Sequence, residues 1–157
     1  MTQESGFKEV ARNRQAFHLY DILDRWEAGV ALLGAEVKSV REGKLQIMDA
    51  YATIENGELW LFQCHISPYK FHTHEALTPI DPLRRRKLLM HRKEIDKLKG
   101  RVKEKGLTLV PLKVYIKHGK VKVELGLGKG RRLYDKREAI KKRDMEREEA
   151  QAKGRRE

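Results

Sequence analysis

The stretch TLVPLKVYIKHGKVKVELGLG, residues 108–128, decides how the chain folds. Val121, Val123, Leu125 and Leu127 alternate with lysines and Glu124, the period of a strand that has one face on a core. The run before it is also extended, and His118-Gly119 between the two reads as the reversal that pairs them. Pro111 has no N–H to give to a ladder, so a bulge or a sheet edge is expected there.

Working outward, AYATIENGELWLF (residues 50–62) has the same form on a smaller scale. Two alternating runs flank Asn56-Gly57, a strong hairpin signal. Residues 16–33, AFHLYDILDRWEAGVALL, read as two strands broken near Ala28-Gly29, with Phe17, Leu19, Val30 and Leu32 toward the core. In GAEVKSVREGK, Val37 and Val40 stand three apart and Gly43 supplies a stop, which predicts a helix over about 34–42. CHISPYKFHTHEALTPIDPLRRR, with Pro68, Pro79 and Pro82, predicts an exposed crossing loop. Asp81-Pro82 then resembles a capped helix start, from which Leu83, Leu88, Ile95, Leu98 and Val102 form a stripe, with Gly100 a break and Gly106 a stop. Six short antiparallel strands with helices at the connections predict a mainly β fold: a small Greek-key barrel, partly like an OB-fold. The domains expected are a flexible 1–10, a barrel over 11–130 that ends where GLGKG breaks the last strand, and a basic tail over 131–157.

Charge separates function classes. Residues 1–83 hold 8 Lys and Arg against 12 Asp and Glu, whereas residues 84–157 hold 27 against 11, so the second half is strongly positive within a chain of net charge +12. A one-sided excess of this kind points to a polyanionic partner, nucleic acid first. An anionic membrane would call for large apolar residues opposite the lysines, which the C-terminal segment lacks. One cysteine and no long apolar run predict a protein of the reducing cytoplasm, with no exposed seam to make it more than a monomer.

Other clusters read less sharply. Cys64, His65, His72 and His74 have ligand chemistry, but C-H-x6-H-x-H is no paired zinc spacing, and loop histidines around a buried thiol are the expectation. GLGKG lacks the spacing of a phosphate loop. Asp21 and Asp24 fall on opposite faces of a strand and cannot converge as an acid/base pair, and no nucleophile arrangement is legible, so neither a catalytic residue, a metal nor a cofactor is expected. RRRK, residues 84–87, with Arg92 and Lys93, reads either as a solvated face or as phosphate contacts. Trp26, Tyr69 and Tyr115 are open to two uses, stacking on unpaired bases or filling the core edge.

In order, ARNRQAFHLY, EAGVALLGAEVKSVREGK, CHISPY, DPLRRRKLLMHRKEI, KGLTLVPLKVYIKHGKVKVELGLGKG and RRLYDKREAIKKRD resemble the SsrA-binding protein family, also called small protein B. The resemblance covers residues 11 to about 147. It implies a bacterial cytoplasmic protein, not an enzyme, that binds transfer-messenger RNA and accompanies it into stalled ribosomes for trans-translation. The barrel would bind the tRNA-like domain and stand in for an anticodon arm. The tail, disordered when free and helical on the ribosome, would enter the empty mRNA channel past the small-subunit decoding centre.

Position by position, the resemblance ties Glu27, Leu89 and His91 to RNA. Lys38, Arg41, Arg86 and Lys87 join them on electrostatic grounds, with phosphates as targets. His18 is placed toward the decoding centre, and Tyr134, Asp135, Lys136, Arg137, Lys141, Lys142 and Arg143 in the mRNA channel. Without the resemblance, the same charge bias would fit a general OB-like RNA-binding or ribosome-associated protein.

Overall fold

The computed structural model describes residues 7–69, 80–103 and 106–130. In chain order the elements are β1 (Phe7–Arg12), α1 (Arg14–Leu19), β2 (Tyr20–Val30), α2 (Gly34–Arg41), β3 (Leu45–Gln46), β4 (Tyr51–Glu55), β5 (Glu58–Phe62), β6 (His65–Ile66), β7 (Arg86–Leu89), α3 (Arg92–Arg101), β8 (Leu107–Lys117) and β9 (Lys120–Gly130). The protein is mainly β with three helices among the described residues.

β8 and β9 are the long pair that the alternation predicts, joined register by register from Lys117↔Lys120 to Leu107↔Lys129. His118 and Gly119 both take positive φ, as do Asn56 and Gly57, so both hairpins turn through the left-handed region that suits the strand twist. The register slips between Pro111 and Lys113, so of the bulge or sheet edge expected at the proline the structure has the bulge. Asn13 pins that slip: its backbone N–H donates to the Leu112 carbonyl at 2.7 Å and its Nδ2 to the Pro111 carbonyl at 3.1 Å. Seven strands join in one sheet, and their pairings run β8, β4, β5, β7, β2, β9 and back to β8, while β1 pairs with β8 at Lys113 to Lys117, beyond Leu109 where β4 pairs. Inside lie Leu59, Leu61, Leu88, Leu98, Leu109, Val114, Val123, Leu125 and Leu127, all nearly or fully buried. Each such side chain contributes about 1.5–3 kcal/mol by leaving water.

Several expectations are corrected. Residues 7–10 are not a loose end but most of β1. The first strand expected from Phe17 and Leu19 is α1, because the Asn13 side chain accepts from the Ala16 N–H and caps a short helix; Phe17 is exposed. β2 then runs unbroken through Ala28-Gly29. At Gly29 a Cβ would meet the Leu89 Cβ at 3.4 Å, an ordinary contact, and the ladder to β9 continues through the glycine. No helix starts at Asp81-Pro82: Asp81 accepts from the Leu83 N–H to shape a turn, and Arg86 to Leu89 form a strand between β5 and β2. The helix of the expected stripe begins only at Arg92, runs through Gly100, and buries Ile95 and Leu98. β9 continues to Gly130 instead of breaking at GLGKG, whose Gly128 lies under Tyr20, with no room for a Cβ.

Candidate nucleic-acid interface

β2, β7 and β9 meet at Gly29, which pairs with Leu89 on one side and Lys122 on the other. At that junction Glu27, Gly29, Leu89, Met90, His91, Glu94 and Lys122 line a shallow cleft of about 530 Å³. Strand parity explains the lining. On β7, Arg86 and Leu88 turn inward while Lys87 and Leu89 turn out, and Leu89 is 51 % exposed. His91 is the residue before α3, so it sits where the strand hands over to the helix. Glu27, Leu89 and His91, which come from two separate blocks of the sequence, are thereby brought together. Lys122 and Glu94 were missed; the outward parity of β9 is the signal that marks Lys122.

Glu27 is held in place. The Tyr115 hydroxyl donates to its Oε2, and Lys117 Nζ lies 3.6 Å from the same oxygen. The bond from Tyr115 draws the Glu27 carboxyl below the usual range; partial burial opposes this, and Lys117 and Lys122 add to the lowering. Tyr115 itself is pushed up, by burial and then by Glu27. At 5 % exposure and with Phe7 at a centroid distance of 5.0 Å, it belongs to the core edge and is not a platform for bases.

The basic run 84–87 divides by the same parity. Arg85 points out, over the Trp60 ring at 4.2 Å and with NH1 donating to Glu55 at 3.0 Å. Lys87 also points out, 3.4 Å from Glu58. Arg84 and Arg86 converge on Glu36 of α2. Arg86 is 0 % exposed and donates through Nε to Glu36 Oε2 at 2.8 Å, and to the Cys64 and Pro82 carbonyls at 2.6 and 3.1 Å. The expectation that Arg86 meets a phosphate is therefore corrected: it is enclosed and its donors are taken. Burial pushes the Glu36 carboxyl up, yet hydrogen bonds from Arg84, the Leu33 N–H and Arg86 outweigh it and leave the group below its ordinary value.

Residues 10–155 match the family model described as SmpB protein. The chain belongs to the SmpB family. A relative named SsrA-binding protein from Sulfurihydrogenibium sp. (strain YO3AOP1) is 57 % identical over 141 residues, 90 % of this chain and 91 % of the relative. Another of that name from Geobacter sulfurreducens is 54 % identical over 147 residues, 94 % of each chain. A solved chain described as "tmRNA-SmpB: a journey to the center of the bacterial ribosome" superposes with a TM-score of 0.63 at 46 % identity, over 80 % of this chain and 85 % of its own.

The remaining candidates of this SmpB family member lie apart from the cleft. Lys38 sits on α2 with its Nζ 5.5 Å from the centre of the Tyr69 ring, and Arg41 at the end of α2 is exposed, its carbonyl accepting from Lys8 Nζ. His18 is exposed in the last turn of α1, beside the start of β2, where Tyr20 pairs with Gly130. Tyr134, Asp135, Lys136, Arg137, Lys141, Lys142 and Arg143 lie outside the described residues, as do His72 and His74. Cys64 is buried and its thiol is pushed up to about 11 by burial, so it stays protonated at neutral pH. Among the described residues no three His, Cys, Asp or Glu cluster as metal ligands, and no helix is long and apolar enough to cross a membrane.

Proposed function

We propose that this SmpB family member binds transfer-messenger RNA and acts with it on stalled ribosomes in trans-translation. The observation that carries the reading is the match, over 90 % and 94 % of this chain, to SsrA-binding proteins, whose name states their RNA ligand. The solved relative, described together with tmRNA and the ribosome, supports both partners. The circuit of paired strands is read as a Greek-key barrel, partly like an OB-fold, that presents the Glu27–Leu89–His91 cleft to the tRNA-like domain in place of an anticodon arm. Its role is recognition and delivery, not catalysis, in the cytoplasm and as a monomer. His18 and the basic segment after Gly130 are assigned to the decoding centre and the mRNA channel.

Binding to the tRNA-like domain of transfer-messenger RNA is expected to be tight, salt-sensitive and stronger than binding to ordinary tRNA. Equal affinity for the two RNAs would sink the reading. Deleting residues 131–157 should leave that binding intact and abolish tagging on stalled ribosomes. Joint loss of both activities would overturn the division between barrel and tail.

A further inference from the structure

We infer that Tyr115 is a positioning residue for the RNA cleft: its hydroxyl fixes the Glu27 side chain through Oε2, leaving Oε1 to accept from an N–H donor on an RNA base edge. The inference rests on the reading of the cleft as an RNA site and extends it to a residue that lines no part of the cleft. Tyr115 stands on β8 and Glu27 on β2, with β9 between them, so the bond crosses two strand spacings, about 10 Å of sheet. The phenol reaches across from one side and the glutamate from the other, and the two side chains meet over β9. Both described contacts of Glu27, from Tyr115 and Lys117, engage Oε2.

A carboxylate repels phosphates, so within an RNA surface its use is to read donors on bases, while the neighbouring Lys117 and Lys122 suit the backbone. An untethered glutamate at this position would lose rotamer freedom when the base arrives, which lowers affinity. Held by Tyr115, it has lost that freedom already. The opposite account is that Glu27 merely satisfies a buried hydroxyl and Tyr115 does nothing for RNA.

The test is a double-mutant cycle with Tyr115→Phe and Glu27→Gln, measured on the tRNA-like fragment of transfer-messenger RNA, with folding checked by circular dichroism. Tyr115→Phe keeps the ring beside Phe7 and removes only the hydroxyl. It should weaken binding about threefold to tenfold, and the double variant should bind no worse than Glu27→Gln alone. Unchanged affinity for Tyr115→Phe beside a weakened Glu27→Gln would overturn the inference and leave the RNA reading standing. Additive losses would overturn it too, since Tyr115 would then act independently of Glu27. An unaffected Glu27→Gln would overturn the cleft assignment itself.

A pH series adds a readout that packing alone does not move. The charged groups around Glu27 are Lys117 on β8, Lys122 and Glu124 on β9, and His91 and Glu94 across the cleft. Loss of the Tyr115 bond should raise the pH at which acid weakens binding, relative to the unmodified protein, and the shift should vanish in a Glu27→Gln background. No shift, or one that persists without Glu27, would count against the inference.

Discussion

Glu36 and Glu27 are both carboxylates held by hydrogen bonds and basic neighbours, and they do opposite things. Glu36 is enclosed, with Arg84, Arg86 and the Leu33 N–H filling its oxygens, and it ties α2 to the start of β7. Glu27 stands in an open cleft with only Oε2 engaged by the contacts described. The difference shows that charge and partner type do not separate a fold-holding ion pair from a recognition site. Exposure and spare hydrogen-bonding capacity do. A saturated buried pair is costly to break and useless to a ligand, whereas a half-engaged surface carboxylate costs little to remove from the fold and can select a partner.

The strongest attempt to break this contrast is Arg86→Ala. It leaves Glu36 buried without its inner partner and should cost about 3–5 kcal/mol in urea unfolding, beyond what the loss of a surface cation could explain. A loss below 1 kcal/mol would mean that the cluster does not hold β7.

Acid sharpens the comparison further. Because the folded-state pKa of Glu36 is lowered, its contribution is fully present above the unfolded value of about 4.3 and is lost as pH falls through the folded value. Unfolding midpoints should therefore drop below about pH 4.3, and the drop should be shallower in Glu36→Gln. Parallel curves would remove Glu36 as its source. At the small end is Lys87→Ala, whose exposed pair with Glu58 is worth at most about 1 kcal/mol to the fold. Its expected signature is a salt slope for RNA binding reduced by about one, at nearly unchanged stability; an unchanged slope would take Lys87 off the list of phosphate contacts.

What could be read from the sequence was local. Asn56-Gly57, His118-Gly119, the Pro111 bulge and α2 each follow from a few adjacent residues whose backbone preferences agree. α1 was hidden because its cap, Asn13, is fixed by carbonyls of Ile47 and Pro111, far away in the chain. β7 has no local strand signal, because Arg84 to Lys87 carry no apolar alternation. An arginine occupies the inward position there, and the glutamate that allows it lies 50 residues earlier. The same distant glutamate draws Arg86 inside, away from any phosphate. Glu27, Leu89 and His91 were legible only through family resemblance, since the β2–β7 pairing that unites them has no local trace.

One consequence follows from the ladder between β2 and β9. Tyr20 pairs with Gly130 at one end and Gly29 with Lys122 at the other, nine residues apart along β2, about 30 Å of strand. The cleft and the point where the basic segment departs thus sit at the two jaws of a calliper whose opening is set by backbone rise. Substitutions on the surface can retune either jaw, but only an insertion or deletion within the strands can change the gap between them.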